Sequence, residues 1–125
     1  MIEPFLKNAC FIGGKGRDAD DGQTLPVYDP GNGALIGTVP AMGEVETRRA
    51  IEAAEEALPR WRALTAGDRG RILRRLFDLM TENRDALGEI LSREQGKPLA
   101  EAKGEITYAA GFVDWFAEEG KRAYG

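Results

Sequence analysis

The stretch Glu94-Gln95-Gly96-Lys97-Pro98 decides how the second half of this chain folds. Glycine suits the left-handed position just past a helix end, and proline fits the first position of a helix, where its missing N–H would have no partner anyway. Gly96 therefore ends one helix and Pro98 opens another. Upstream, Thr65-Ala66-Gly67-Asp68 has the form of a capping box with Asp in the place of Glu. Behind it Ile72, Leu73, Leu76, Phe77, Leu79, Met80, Leu87, Ile90 and Leu91 mark a broad apolar stripe, which predicts one helix over residues 65 to about 95 with Gly70 and Gly88 as interior weak points. Downstream, Leu99, Ala102, Ile106, Ala109, Ala110, Phe112, Val113, Trp115 and Phe116 carry a further helix from residue 98 to about 123.

Toward the amino terminus, residues 43–58 read as another helix. Val45, Ile51, Ala54 and Leu58 recur at near-helical spacing, Glu44, Glu46, Arg48, Arg49, Glu52, Glu55 and Glu56 take the wet side, and Pro59 is expected to end it. Before residue 41 the period drops to two. Ala9-Cys10-Phe11-Ile12 is a short strand, Gly13-Gly14 tolerates the positive φ angles of a two-residue turn, and residues 15–18 return. Residues 18–23 form a polar loop. Residues 24–29 and 34–39 then pair across Asp29-Pro30-Gly31-Asn32-Gly33, with Pro26 confined to an edge because it cannot donate to the ladder. Residues 1–8 lack periodicity and read as a tail, mobile or docked. The expected fold is α/β, locally α+β: two N-terminal β-hairpins (residues 9–40) followed by three long helices (residues 43–123) that can cover them. No strand alternates with the helices, so a complete doubly wound sheet cannot be built from this sequence.

Composition narrows the function. With 125 residues, 42% hydrophobic and 30% charged, the chain has the make-up of one folded domain. Seventeen basic and twenty-one acidic residues give a net charge of −4, which argues against general nucleic-acid or anionic-membrane binding. No apolar run approaches the ~20 residues that span a bilayer, and the start carries no secretory pattern, so the cytoplasm is the expected location. Cys10 is the single cysteine and histidine is absent, which removes Ser-His and Cys-His dyads and the nitrogen donors of the usual zinc sets.

Several motifs have a plain reading beside a chemical one. Gly14-Lys15-Gly16-Arg17-Asp18-Ala19 fits the dinucleotide pattern G-x-G-x-x-A, but an acidic loop follows where a helix is needed, which favours a hairpin turn. Asp18, Asp20 and Asp21 are spaced wrongly for a calcium loop and read as a solvated turn. Arg60, Arg62, Arg69, Arg71, Arg74 and Arg75 either bind an acidic partner or, more commonly for such clusters, form the polar face of a helix. Cys10 reads as a small hydrophobe, and Glu101 with Glu105 as a surface pair at i, i+4; neither is assigned a catalytic role. Tyr108, Phe112, Trp115 and Phe116 lie at helical spacing, the usual mark of core and, less often, of an apolar substrate tunnel.

Phe11-Ile12-Gly13-Gly14-Lys15, Val27-Tyr28-Asp29-Pro30 with Gly33, Leu58-Pro59-Arg60-Trp61-Arg62, Glu94 to Pro98 and Trp115 to Gly125 together resemble, in order, the N-terminal segment of the aldehyde dehydrogenase superfamily, nearest to bacterial NAD(P)-dependent succinate-semialdehyde dehydrogenases. The resemblance implies a fragment of the cofactor-binding domain of an enzyme that oxidises succinate semialdehyde with NAD or NADP. In that family a cysteine thiolate, a nicotinamide and a glutamate carry the reaction, and all match positions beyond residue 125. It implies no catalytic or cofactor-binding residue here, and no cofactor for the segment alone. It does imply a tunnel-facing Tyr108, extended one turn to Phe112, and a structural cation held by main-chain oxygens of Val27 and Tyr28 with the Glu94 carboxylate; Glu94 reads equally well as a solvated residue near a helix end. The implied partners are the remainder of the chain, a small aldehyde and further copies in a homo-oligomer, with no nucleic acid and no membrane.

The sequence also departs from the family. Gly16 stands where many relatives have tryptophan, and Gly70 and Gly111 where Ala or Ser is expected, each at a cost of roughly 0.5–1 kcal/mol in a helix. The alternative to an enzyme fragment is a freestanding helical interaction module that docks through apolar stripes and has no catalytic activity.

Overall fold

The computed structural model describes residues 2–124; Met1 and Gly125, the outer ends of the expected tail and of the last matching segment, lie outside them. β1 (Cys10–Ile12) and β2 (Lys15–Arg17) pair antiparallel, Phe11 opposite Gly16, across Gly13 and Gly14 at φ +59° and +78°. Two successive positive φ angles are what a two-residue turn joining right-twisted strands requires. The Gly-rich run is thus a hairpin, with no helix behind it. β3 (Thr24–Tyr28) and β4 (Leu35–Pro40) form the second hairpin, its register broken between Val27 and Tyr28. Its turn is closed by the side chains of Asp29 and Asn32, which accept from the N–H groups of Gly31 and Ala34. The hairpins remain two separate two-stranded sheets, so every strand is an edge and Pro26 is tolerated.

Four helices follow where three were expected: α1 (Glu44–Ala63), α2 (Ala66–Glu82), α3 (Arg84–Gln95) and α4 (Leu99–Glu119). The single helix read over residues 65–95 breaks at Asn83, which leaves the helical region at φ −107°, ψ 16°. Both its backbone N–H and its side-chain amide donate to the Leu79 carbonyl, while its own carbonyl accepts from Leu87 N–H, so one residue closes α2 and opens α3. Pro59 does not end α1, which runs four residues further. The main-chain oxygens of Arg62 and Leu64 at that end accept from the Arg69 guanidinium, which holds the last turn despite the hydrogen bond that proline removes. At the α3–α4 hinge Gly96 has φ +73° and donates to the Ser92 carbonyl, and the Ser92 hydroxyl donates to Lys97 O. Pro98 sits at the cap just before α4, one position ahead of its expected place, and its carbonyl accepts from Ala102 N–H.

Packing centres on α4, which lies against α2 and α3 through a seam of buried alanines, Ala102, Ala110 and Ala117. Small residues face them for a steric reason. A Cβ added to Gly70 would stand 2.8 Å from Ala117 O, and one on Gly88 would stand 2.7 Å from Lys103 Cγ and 3.1 Å from its Cα. Gly70 and Gly88 are therefore points of close approach between helices and not weak points. Gly111 has nothing within 4 Å of such a Cβ, so the propensity cost stands there. Charged side chains rim the same seam. Arg74 reaches Asp114 at 2.6 Å and lies over the Phe77 ring, and Lys103 reaches Asp85 at 3.2 Å. With Arg71 on Asp68 and Arg75 on Glu82, most of the arginine run is engaged inside the molecule.

Nowhere among the described residues is a large side chain fully buried; the buried apolar side chains are Ile2, Ala19, Pro40 and the three alanines of α4. The accessible surface is 9154 Å², whereas a compact monomer of 13.7 kDa has about 6,600 Å² by the usual surface scaling. α2, α3 and α4 pack on one another and leave α1 and the hairpins largely uncovered: β1 rests on α1, and Val45, Ile51 and Leu58 of α1 face solvent. Of the tail, Ile2 is buried and its carbonyl accepts from the N–H groups of Phe5 and Leu6, so this segment is docked.

Candidate functional site

Two regions gather the residues singled out in the sequence. The first is a cavity of about 440 Å³ at the meeting of the tail, the second hairpin and α3, lined by Phe5, Lys7, Val27, Ile36, Ile90 and Glu94 among others. Two residues beyond Glu94 the hinge meets the turn of the second hairpin, with Pro30 Cγ 3.0 Å from where a Gly96 Cβ would stand. Val27 and Glu94, far apart in sequence, are thus brought together, as a site shared between them requires. Tyr28 follows the irregular step in the β3–β4 ladder, is exposed, and does not line the cavity. The residue left without a ladder partner at that step is Ile36 of β4, between Gly37 opposite Val27 and Leu35 opposite Tyr28. Lys7 brings a competing positive charge into the same space.

The second region is the face of α4 opposite its alanine seam. Tyr108, Gly111, Phe112, Trp115 and Phe116 line an open apolar trough of about 460 Å³. Tyr108 and Phe112 meet edge to face, ring centroids 4.9 Å apart at 89°, a favourable arrangement of their quadrupoles. Their exposures are 71% and 50%, and those of Trp115 and Phe116 are 62% and 56%. Within the described residues nothing covers this stripe, because the small residues on the other side of the helix already fill the space against α2 and α3. Gly111 went unnoticed as part of the surface. The signal for it was its place between Tyr108 and Phe112 on one helical face.

Sequence reasoning also misplaced Glu46, set on the wet side of α1 but buried at 9% exposure. Its carboxylate accepts from the N–H of Asp20 at 3.0 Å and from the N–H of Gly43 at 3.1 Å, tying the 18–23 loop to the first turn of α1. The Asp20 N–H foremost, with the other amides, holds the Glu46 carboxyl below the ordinary carboxylate range. Asp20 serves the same attachment by pairing with Arg49 at 2.5 Å, while Asp21 accepts from Gln23 N–H within the loop. Glu105, read as half of a carboxylate pair with Glu101, instead binds Lys97 across the hinge and raises the ammonium pKa. Cys10 is half-buried in β1.

Residues 17–125 match the aldehyde dehydrogenase family. The chain is 61% identical over 120 residues to the glutarate-semialdehyde dehydrogenase of Pseudomonas putida, covering 96% of this chain and 25% of that protein. It is 56% identical to the NADP-dependent succinate-semialdehyde dehydrogenase of Escherichia coli over the same shares. The crystal structure of a succinate-semialdehyde dehydrogenase from Burkholderia pseudomallei superposes with a TM-score of 0.94 at 56% identity, over 98% of this chain and 25% of that one. The chain thus spans about a quarter of the length of the curated relatives it matches. Ordered family motifs, a matching backbone and helices whose outer apolar faces lie open agree with one another, and the chain belongs to the aldehyde dehydrogenase family.

Proposed function

We propose that this chain is part of the cofactor-binding domain of an NAD(P)-dependent semialdehyde dehydrogenase, that it frames the substrate entrance through α4, and that it carries no turnover alone. One observation supports this above the rest. The accessible surface exceeds that of a compact monomer of the same mass by roughly 2,600 Å², more than a standard partner interface covers on one side. Such a surplus fits a domain cut through its core. The two relatives named above act on four- and five-carbon semialdehydes bearing a carboxylate, and this is the proposed substrate class.

The nicotinamide supplies hydride acceptance when bound. The residues present do not make a dinucleotide site: the single Gly-rich pattern is the β1–β2 turn, with no helix N-terminus to receive a pyrophosphate. Cys10 lies in a strand far from the aromatic face of α4 in sequence and matches no nucleophile. Tyr108 and Phe112 bind and orient an aldehyde's carbon chain and exclude water. The Val27 and Tyr28 carbonyls with Glu94 hold a structural cation, a reading supported by the shared cavity of Val27 and Glu94.

With succinate or glutarate semialdehyde and either nicotinamide cofactor, the 125-residue chain is expected to reduce no cofactor. Co-expression with the remaining three-quarters of the P. putida relative is expected to restore turnover. Cofactor reduction by the chain alone refutes the reading. For the cation, added sodium or magnesium should raise the thermal midpoint in the parent and not in Glu94→Gln; an equal response in both removes Glu94 as a ligand.

A further inference from the structure

The turn of the second hairpin sets a side-chain amide beside a main-chain nitrogen that carries no obstructing side chain. Asn32 precedes Gly33, both are exposed, and nothing lies within 4 Å of a Cβ placed on Gly33. From this we infer that Asn32 is a self-modifying site, converted by its own backbone and water to aspartate and isoaspartate. The inference concerns the chain by itself and does not rest on the enzymatic reading.

The reaction balances within the turn. The Gly33 nitrogen gives its proton to solvent and bonds to Cγ of Asn32, the Cγ–Nδ2 bond breaks, and Nδ2 takes up a proton and leaves as ammonia. Water then opens the cyclic imide at either carbonyl. Opening at Cγ gives aspartate, and opening at the main-chain carbon routes the chain through Cβ as isoaspartate. Three features favour ring closure. Glycine leaves the attacking nitrogen open to approach. Ala34 N–H donates to Asn32 Oδ1 at 2.8 Å, which puts a donor on the oxygen where negative charge gathers during attack. Nδ2 makes no hydrogen bond among the described residues, so ammonia departs into water. One restraint opposes it, the Gly33 N–H held by Asp29 O at 2.8 Å, and that bond lies at the tip of an isolated two-stranded sheet, where local opening is easy. The other asparagines are less suited. Asn8 and Asn83 precede Ala9 and Arg84, whose side chains flank the attacking nitrogen, and Nδ2 of Asn83 is held by Leu79 O at 2.8 Å. Asp21-Gly22 repeats the frame, with Gln23 N–H on Oδ1 and Gly22 N–H on Ala19 O, both at 2.9 Å, but a carboxylate is a poor electrophile. Isoaspartate lengthens the backbone inside the turn that the bond from Asp29 N–H to Ala34 O closes at 2.9 Å.

The test ages the purified 125-residue chain in warm neutral buffer, maps its peptides by mass spectrometry and counts isoaspartate by enzymatic methyl transfer. Position 32 should exchange its amide for a hydroxyl about tenfold faster than Asn8 or Asn83, and Gly33→Ala should slow that exchange by a similar factor. Isoelectric focusing should show an acidic band, one unit more negative than the starting −4. Isoaspartate should form at position 32 ahead of Asp21, where the frame is the same and the leaving group is not. Gly33 has φ +73°, so alanine there also strains the turn; Asn32→Asp therefore serves as the second variant, with the product's charge on an ordinary backbone. Its Asp29 amide should exchange with solvent as in the parent, while that of the isoaspartate fraction exchanges faster. An intact Asn32 after ageing, conversion first at Asn8 or Asn83, or an unaltered rate in Gly33→Ala overturns the inference.

Discussion

The close approach of α3 and α4 at Gly88 gives a substitution whose sign is opposite to the one helix propensity dictates. Alanine in a helix interior is favoured over glycine by about 1 kcal/mol. At Gly88, however, the added methyl would lie 2.7 Å from Lys103 Cγ and 3.1 Å from its Cα and N, and the last two are backbone that cannot swing aside. Carbon atoms settle near 3.5–4.0 Å, so the two helices must part by roughly 0.5–1 Å, which forfeits a quarter to a half of the contact energy along the seam. Overpacking of this sort costs about 1–3 kcal/mol. The balance for Gly88→Ala is a net loss of about 1 kcal/mol. Gly104 is the internal control, being in α4 with nothing within 4 Å of its Cβ position. Gly104→Ala should therefore return the full propensity gain of about 1 kcal/mol. A difference of about 2 kcal/mol between the two substitutions moves the thermal midpoint by on the order of 10 °C for a chain of this size. Ellipticity at low protein concentration reads it. If Gly88→Ala raises the midpoint as Gly104→Ala does, the helices are not in contact there and the packing argument fails.

Two further outcomes follow from the hydrogen bonds. The Glu46 carboxyl is depressed in the folded chain, so the stability it contributes is fully present above its ordinary value of 4.5 and is lost as pH falls through the lower folded value. Amide exchange at Asp20 and Gly43 should quicken over that acid window, and Glu46→Gln, whose amide cannot accept through both arms, should quicken it at neutral pH and flatten the dependence; unchanged exchange in the variant removes the anchor. Thr65 caps α2 by accepting from Asp68 N–H at 3.1 Å, so Thr65→Ala should cost ~1 kcal/mol in urea unfolding and Thr65→Ser should recover most of it; equal loss in both variants would show that the methyl, not the hydroxyl, matters.

What could be read from the sequence was whatever depends on residues close together along the chain. The Gly13-Gly14 turn, the closure at residues 29–33, the Thr65 cap and the Gly96 stop each require a backbone geometry that the local residue types alone supply, and all appear. The break at Asn83 is local too, but an apolar period running past it masks one residue whose side chain competes for the Leu79 carbonyl. Glu46 fails for a different reason. On the helix wheel it belongs with the water-facing acids, and it is buried because a loop more than twenty residues earlier brings the Asp20 amide to it beside the Gly43 amide of its own helix start, and no window of periodicity contains the first of these.

Gly70 shows the same limit from the packing side. A propensity scale treats a glycine as a loss, while the structure sets it across from the Ala117 carbonyl, where any larger residue would push α2 off α4. The aromatic stripe reverses the inference again: helical spacing says which side chains share a face, but not whether anything lies against that face. On α4 both faces are apolar, the alanine face is used, and the larger face is left to whatever second surface the chain meets. Periodicity therefore counts the interfaces a helix can make, and residue size decides which is made at close range within the chain.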